Sequence, residues 1–516
     1  MRRLLHMLCC TWLIFLVMFT LVTGPAVCQQ LGINLAGVHD WNSELPFVDF
    51  FRLSRSWVSQ ERDKPWGKGP PLELDERGWV KRLPPGTWAE TCILNIREGH
   101  YPHGTYTLFF DGRGRIDINN VDGVFKQSSG KVEFEVTGDE GIVWIQIKET
   151  EPSDYIRNIR VYPPGFTEND GLLRPGFLQR WQGVKAVRFM EFLAVNNSRE
   201  QHWHQRARIN DARWTVHGAP MEVAVAIANG LHASPWFSIP HKADDDYIRR
   251  YAGMVREMLD PELPIYIEYS NETWNPLFSQ TQYCREQGLA RKLSDNPVQA
   301  GHRFSVQRSL EIFRIWEEVF GSRERLVRVI AGQAANPAVN TERLSFRKAW
   351  QKCDALAIAP YITLNVSTRS TPSLAQVRDW SIVWLEYKVT GSILARSIQW
   401  MRDGRKTAKR YGVSLIAYEG GQHLVGIQGA ENDEQLTSLF LEANRAPWMG
   451  SLYDRYLDEW KKISADGLLC HWLSTEIWSK WGSWGLAEYY DEDIRYSPKL
   501  KAVLNRVTPA GEMHEK

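Results

Sequence analysis

The chain has 516 residues, 43% hydrophobic and 24% charged, which is enough apolar material for two or three domains and excludes a disordered or tail-like protein. Lysine plus arginine (62) balance aspartate plus glutamate (61) to a formal charge of +1. Neither a nucleic-acid-binding surface nor a polybasic membrane patch follows from that balance. Aromatic residues are abundant, with 23 Trp, 18 Tyr and 20 Phe, and most are expected as core anchors because each buries a large apolar area.

The first 28 residues read as a signal peptide: Arg2 and Arg3, an uncharged apolar run from Leu4 to Val22, then Ala26-Val27-Cys28 as a small-residue cleavage site before Gln29. The mature chain is therefore expected to be secreted, periplasmic or extracellular. An uncleaved membrane anchor is the alternative, because the run exceeds the usual core of roughly 7–15 residues. Cys9, Cys10 and Cys28 belong to this leader. Cys92, Cys284, Cys353 and Cys470 are spaced too widely for a metal motif or a dense disulfide framework, and buried free thiols are expected.

Leu31-Gly32-Ile33-Asn34-Leu35 is a short apolar strand, followed by the polar and aromatic loop Gly37 to Trp41 and an apolar stretch from Pro46 to Leu53. The texture then changes to period-two alternation at Tyr106/Leu108/Phe110, Ile116/Ile118, Val132/Phe134/Val136 and Val143/Ile145/Ile147. Asp111-Gly112 and Asp122-Gly123 between them read as hairpin turns, so a compact antiparallel sandwich is predicted. From Val184 onward apolar strands alternate with helical stretches. Pro220 to Leu231 reads as a helix. Asp244 to Asp246 opens another, with Ile248, Tyr251, Val255, Met258 and Leu259 on one face. Strands follow at Ser234–Ile239, Ile265–Tyr269, Val327–Ile330, Ala355–Ala359, Ser414–Ala417 and Leu468–Leu473.

With the strands at Leu31 and Ala186, eight β-α units result. The expected fold class is α/β, a (β/α)8 TIM barrel over 29–57 and 166–516, with an inserted all-β, sandwich-like domain over 58–165 after the first strand. In such barrels the reacting groups stand at the C-terminal ends of strands. Two of those ends carry glutamates: the fourth strand runs into Ser270-Asn271-Glu272-Thr273-Trp274-Asn275, and the seventh into Tyr418-Glu419-Gly420-Gly421.

An Asn-Glu pair after the fourth strand and a lone Glu after the seventh resemble the signature of clan A glycoside hydrolases, the retaining (β/α)8 enzymes. The resemblance covers the barrel and not the inserted block. It implies that Glu272 is the general acid/base, Glu419 the nucleophile and Asn271 a ligand of the sugar 2-hydroxyl. Arg188 after the second strand and Tyr361 after the sixth match clan residues that contact the nucleophile, and His241 after the third matches a less regular position. Trp472 and Trp478 compete as the floor of the reacting subsite, with Trp274, Trp41 and Asp40 as further substrate contacts. The continuation Thr-Trp-Asn, where the clan frequently has Glu-Pro, leaves the subfamily and the sugar open.

Retention requires the two carboxyl groups about 5–5.5 Å apart, one ionised and one protonated. Neighbouring donors are expected to hold Glu419 charged, and repulsion with desolvation to raise the pKa of Glu272. Glu268, earlier in the fourth strand, reads as a structural ion-pair partner. No phosphate-binding loop, metal-ligand cluster or Ser-His-Asp spacing is present, so no cofactor and no metal are expected. The partner that the resemblance leads one to expect is a β-linked polysaccharide or oligosaccharide. The alternative reading is a non-catalytic carbohydrate-binding or cell-surface scaffold protein on the same barrel, since one barrel hosts many functions.

Overall fold

The computed structural model describes residues 29–128, 130–139 and 141–507; the leader, with its cleavage site, lies outside them. Eight strands close into a barrel: β1 (Leu31–Asn34), β2 (Ala186–Arg188), β3 (Ser234–Ile239), β4 (Ile265–Tyr269), β5 (Leu326–Ala331), β6 (Ala355–Ile358), β7 (Ser414–Ala417) and β8 (Leu469–His471). Each pairs in parallel with the next, and β1 closes the ring by pairing with both β2 and β8. Among the described residues, no helix is long and apolar enough to cross a membrane.

The strands read as near-continuous apolar runs because both faces are buried. On one face Ala186, Trp236, Val329, Ala355, Ala357, Ile416 and Cys470 form a small cluster, which fills the barrel in register with Arg188 and Glu268. On the other, Ile33, Val187, Phe237, Ile267, Ile330, Leu356 and Leu415 join the large core beneath the helices. The helix at Asp245–Met258 starts where the charges predict, its cap Asp244 accepting the Tyr247 N–H at 2.7 Å. The helix before β3 spans Met221–Leu231.

Between β1 and β2 the chain builds two four-stranded sheets. One contains Val58–Glu61, Thr87–Ile93, Val143–Thr150 and Gly114–Asn119; the other Arg157–Tyr162, Gly104–Asp111, Lys131–Val136 and Gly123–Ser128. The alternating residues read from the sequence, such as Tyr106, Leu108, Ile116, Val132, Phe134 and Ile145, are buried in one common cluster.

The two Asp-Gly turns, however, are not hairpins. The strand before each belongs to one sheet and the strand after it to the other, so each turn carries the chain across. Gly112, at φ +92°, packs where a Cβ would meet the Tyr155 carbonyl oxygen at 2.2 Å, which is why that corner takes glycine. A short parallel pair, Ile362–Val366 with Gln422–Gly426, was also unanticipated and extends the chain beyond β6 and β7 at the barrel mouth.

Gly32 shows how tightly the ring closes. A Cβ there would lie 2.6 Å from the Ala186 carbonyl oxygen and 2.8 Å from Cys470 Sγ. Gly32→Ala should therefore destabilise the fold by about 1–3 kcal/mol through overpacking, measured as a lowered urea midpoint at unchanged m-value.

Candidate active site

Because all eight strands are parallel, the residues that end β1, β2, β4, β6 and β7 meet at one mouth. Their hub is Arg188, which is completely buried. Its Nη1 donates to Glu419 Oε1 at 2.9 Å and to Asn34 Oδ1 at 3.1 Å. Its Nη2 donates to Glu268 Oε2 and Asn271 Oδ1, both at 2.9 Å, and its Nε to Glu268 Oε2 at 3.2 Å. Burial alone would pull this guanidinium's pKa down, but the carboxylates of Glu268 and Glu419 hold it above its ordinary value. Glu268 Oε2 also accepts from Trp236 Nε1 (2.9 Å) and Ser238 Oγ (3.2 Å), which places Glu268 in the structural ion-pair role.

Glu419 is only 6% exposed. Arg188 holds one of its oxygens, and Tyr361 Oη donates to the other, Oε2, at 2.9 Å. Burial pushes its carboxyl up to about 8, with Arg188 pulling against burial, the Glu272 charge adding to it, and the Tyr361 hydrogen bond favouring the ionised form. The donors expected around Glu419 are present as Arg188 and Tyr361, and desolvation works against them.

Glu272 is half-buried. Tyr418 Oη donates to its Oε1 at 3.0 Å and Asn275 Nδ2 to its Oε2 at 2.8 Å. Ser270 (φ +56°) and Glu272 (φ +39°) both occupy the left-handed region, where a non-glycine residue costs of order 1–3 kcal/mol and persists only if its surroundings fix it. Asn271 between them is fixed: it accepts from Arg188 and donates to Asn196 Oδ1 at 3.2 Å.

The remaining sequence candidates divide. Trp472 is half-buried beside the site, its N–H donating to Gly420 O at 3.0 Å. Trp274 packs against the interior cluster, with the Arg343 guanidinium 5.1 Å from its ring. His241 is buried with both ring nitrogens unpartnered among the described residues, and desolvation, aided by Lys242, lowers its pKa to about 4. It has no hydrogen bond to either glutamate. Trp41 is 44% exposed and stacks on His39 at 4.4 Å.

Two expectations fail. Trp478 is not an open floor: it is 5% exposed, donates to Gly485 O, and has Lys499 Nζ 4.1 Å and Arg445 5.2 Å from its ring centroid. Asp40 is not free for a hydroxyl, because its carboxylate is gripped by Arg55 at 2.6 and 3.2 Å and accepts from Cys92 Sγ at 3.4 Å, tying the first loop to the strand Thr87–Ile93.

Four residues of the mouth escaped the sequence reading. Asn34 ends β1 and Tyr418 directly precedes Glu419, so the strand-end rule could have found both. His423 and Trp484 could not be found that way. The Ile362–Val366/Gln422–Gly426 pair sets His423 against Tyr361 (5.2 Å between centroids) and Trp484 against His423 (4.6 Å), so a contiguous row of rings leads away from Glu419. Among the described residues, no cluster of His, Cys, Asp and Glu is arranged to hold a metal ion.

No family profile and no curated protein matches the chain. Solved structures similar to it include an arabinofuranosidase from Xanthomonas axonopodis pv. citri, at 11% identity and TM-score 0.34 over 58% of this chain and 59% of that one. A xylanase from Cellvibrio japonicus aligns at 10% identity and TM-score 0.34 over 89% of this chain and 98% of its own. A Bacteroidetes-affiliated cellulase aligns at 11% and 0.34 over 64% and 82%.

Removing Arg188 would leave Glu268 and Glu419 buried without their cation, so Arg188→Met should cost about 3–5 kcal/mol, read from chemical denaturation. Titration of Glu419 has a definite sign. The unfolded carboxyl ionises near its ordinary value of 4.5 and the folded one near 8, so between those values the unfolded state binds fewer protons and stability falls as pH rises. Glu419→Gln should flatten that decline; an unchanged slope would mean that Glu419 is not the group responsible.

Proposed function

We propose that this chain is a retaining glycoside hydrolase that cleaves β-glycosidic bonds in a polysaccharide or oligosaccharide by double displacement. The observation that carries the proposal is the unequal pair at one barrel mouth: Glu419, buried and fixed through both oxygens by Arg188 and Tyr361, and Glu272, half-buried and coupled to it by charge. In this reading the reactive form has Glu419 ionised and the proton on Glu272. Glu272 protonates the leaving oxygen while Glu419 attacks the anomeric carbon. Glu272 then draws a proton from a water molecule whose oxygen attacks the anomeric carbon and breaks its bond to Glu419, which releases the sugar and restores the carboxylate. The positive charge developing at the anomeric centre favours the Glu419 carboxylate at the moment it is needed.

Asn271, oriented by Arg188, is placed to meet a sugar hydroxyl beside the attacked carbon. Trp472 and the row Tyr361, His423 and Trp484 offer apolar and polar surfaces for ring and hydroxyl groups. Arg2, Arg3 and the apolar run to Val22 support secretion of the enzyme. The inserted domain over 58–165 serves as a buttress in this reading, because its Cys92 Sγ and its Asn95 N–H both donate to Asp40 in the loop that follows β1.

The test is reducing-sugar release from a panel of β-linked glycans. Wild type should cut at least one. Glu419→Gln should cut none, and Glu272→Ala should lose about 10²–10⁴-fold on the glycan but far less on an aryl glycoside whose leaving group needs no proton. Binding without cleavage across the panel would favour a carbohydrate-binding protein. The pH profile adds a second check. Tyr361→Phe removes a hydrogen bond that favours the Glu419 charge, so the limb of the kcat/KM profile that reports Glu419, near 8 in the folded protein, should move to higher pH. A limb that stays in place, or moves down, would separate Tyr361 from the ionisation that governs turnover.

A further inference from the structure

Outside the glutamate mouth the molecule contains a cavity of about 280 Å³ between the loop after β1, the segment leading into β2 and the loop after β8. Two arginines, Arg174 and Arg180, line it, and neither forms an ion pair among the described residues. Arg180 donates to the backbone carbonyls of Tyr489, Tyr490 and Glu492. Arg174 donates to Leu45 O at 3.3 Å and lies 4.6 Å over the Tyr490 ring, while its Nε is buried without a partner. Nearby carboxylates are already engaged, Asp491 by His100 at 2.9 Å and Glu492 by Ser497. Desolvation lowers the pKa of both half-buried guanidiniums; Tyr490 pulls against it at Arg174, and the more distant charges of Glu44, Glu492 and Asp491 pull against it at Arg180, so each keeps donors for a further acceptor.

The other end of the cavity has different chemistry. Glu44, 4% exposed, accepts from Trp181 Nε1 at 2.8 Å and Ser474 Oγ at 2.9 Å. The Thr475 side chain stands beside it on the lining, and Phe177 and Trp181 supply apolar surface. At the mouth, Gly176 is exposed, and a Cβ added there would meet nothing within 4 Å.

We propose that this cavity binds a small hydroxylated carboxylate the size of one acidic sugar. Its carboxylate would take the donors of Arg174 and Arg180, whose planar guanidiniums match a carboxylate, and its hydroxyls would reach Glu44 and Thr475. The site is separate from the glutamates and does not depend on their chemistry, so binding here and hydrolysis there can fail independently.

The test is calorimetric titration of the full chain with glucuronate, with glucose as the neutral ring and inorganic phosphate as the anion without one. Glucuronate should bind saturably with one site assigned to the cavity, and at least tenfold more tightly than glucose or phosphate. Arg174→Gln should weaken it at least tenfold. Gly176→Trp, which closes the mouth without touching the core, should do the same while keeping the parent melting temperature, and Glu419→Gln should leave this binding unchanged. Absence of glucuronate binding, equal binding of glucose or phosphate, or glucuronate binding retained in a folded Gly176→Trp variant would each overturn the proposal.

Discussion

A single buried guanidinium organises the centre of this protein. Arg188 is fully enclosed, yet it contacts four groups from three other strand ends: Asn34 at β1, Glu268 and Asn271 at β4, and Glu419 at β7. A charge in that position is tolerable only with its donors satisfied and carboxylates beside it. The barrel meets this requirement by sending Glu268 from β4 and Glu419 from the end of β7 to the same point. One ion therefore fixes Glu419 and Asn271, two of the side chains that the proposed chemistry uses, while Glu272 is held separately by Tyr418 and Asn275.

The same arrangement makes the two mouth glutamates unlike each other. Glu419 lies inside the ion's reach and largely out of solvent; Glu272 stands further out, held by Tyr418 and Asn275 on a backbone kept in the left-handed region. Burial opposes ionisation of Glu419 while Arg188 and Tyr361 favour it, so its charge is conditional on what else enters the mouth. A substrate that develops positive charge next to Glu419 would tip that balance, which is how a buried carboxyl with a raised pKa can still serve as the attacking group.

Much of this was legible in the sequence because barrel strands leave a plain trace. Runs such as Ser234–Ile239 and Ser414–Ala417 are apolar on both faces, and the polar residue that ends each run faces the mouth. That logic singled out Glu272 and Glu419, the resemblance added Arg188 and Tyr361, and the strand-end rule would have reached Asn34 and Tyr418 had it been applied to every strand end. It could not rank the tryptophans, since nothing local distinguishes the half-buried Trp472 from Trp478, whose ring is occupied by Lys499 and Arg445. Nor could it show that Asp40 is claimed by Arg55, or that the Asp-Gly turns cross between sheets, because both follow from contacts between distant segments. The balance at Glu419 was legible only in part for a related reason: donors can be inferred from neighbouring residue types, but the depth of burial that opposes them cannot.

The most direct test of the central assignment is peptide mass spectrometry after incubation with activated 2-deoxy-2-fluoro glycosides of the sugars in any glycan that the chain proves to cut. Such a reagent slows release of the covalent intermediate and leaves the attacking residue labelled. A stoichiometric adduct on the peptide carrying Glu419 is the expected result. An adduct on Glu272, or turnover of the glycan with inverted product and no adduct, would contradict the account.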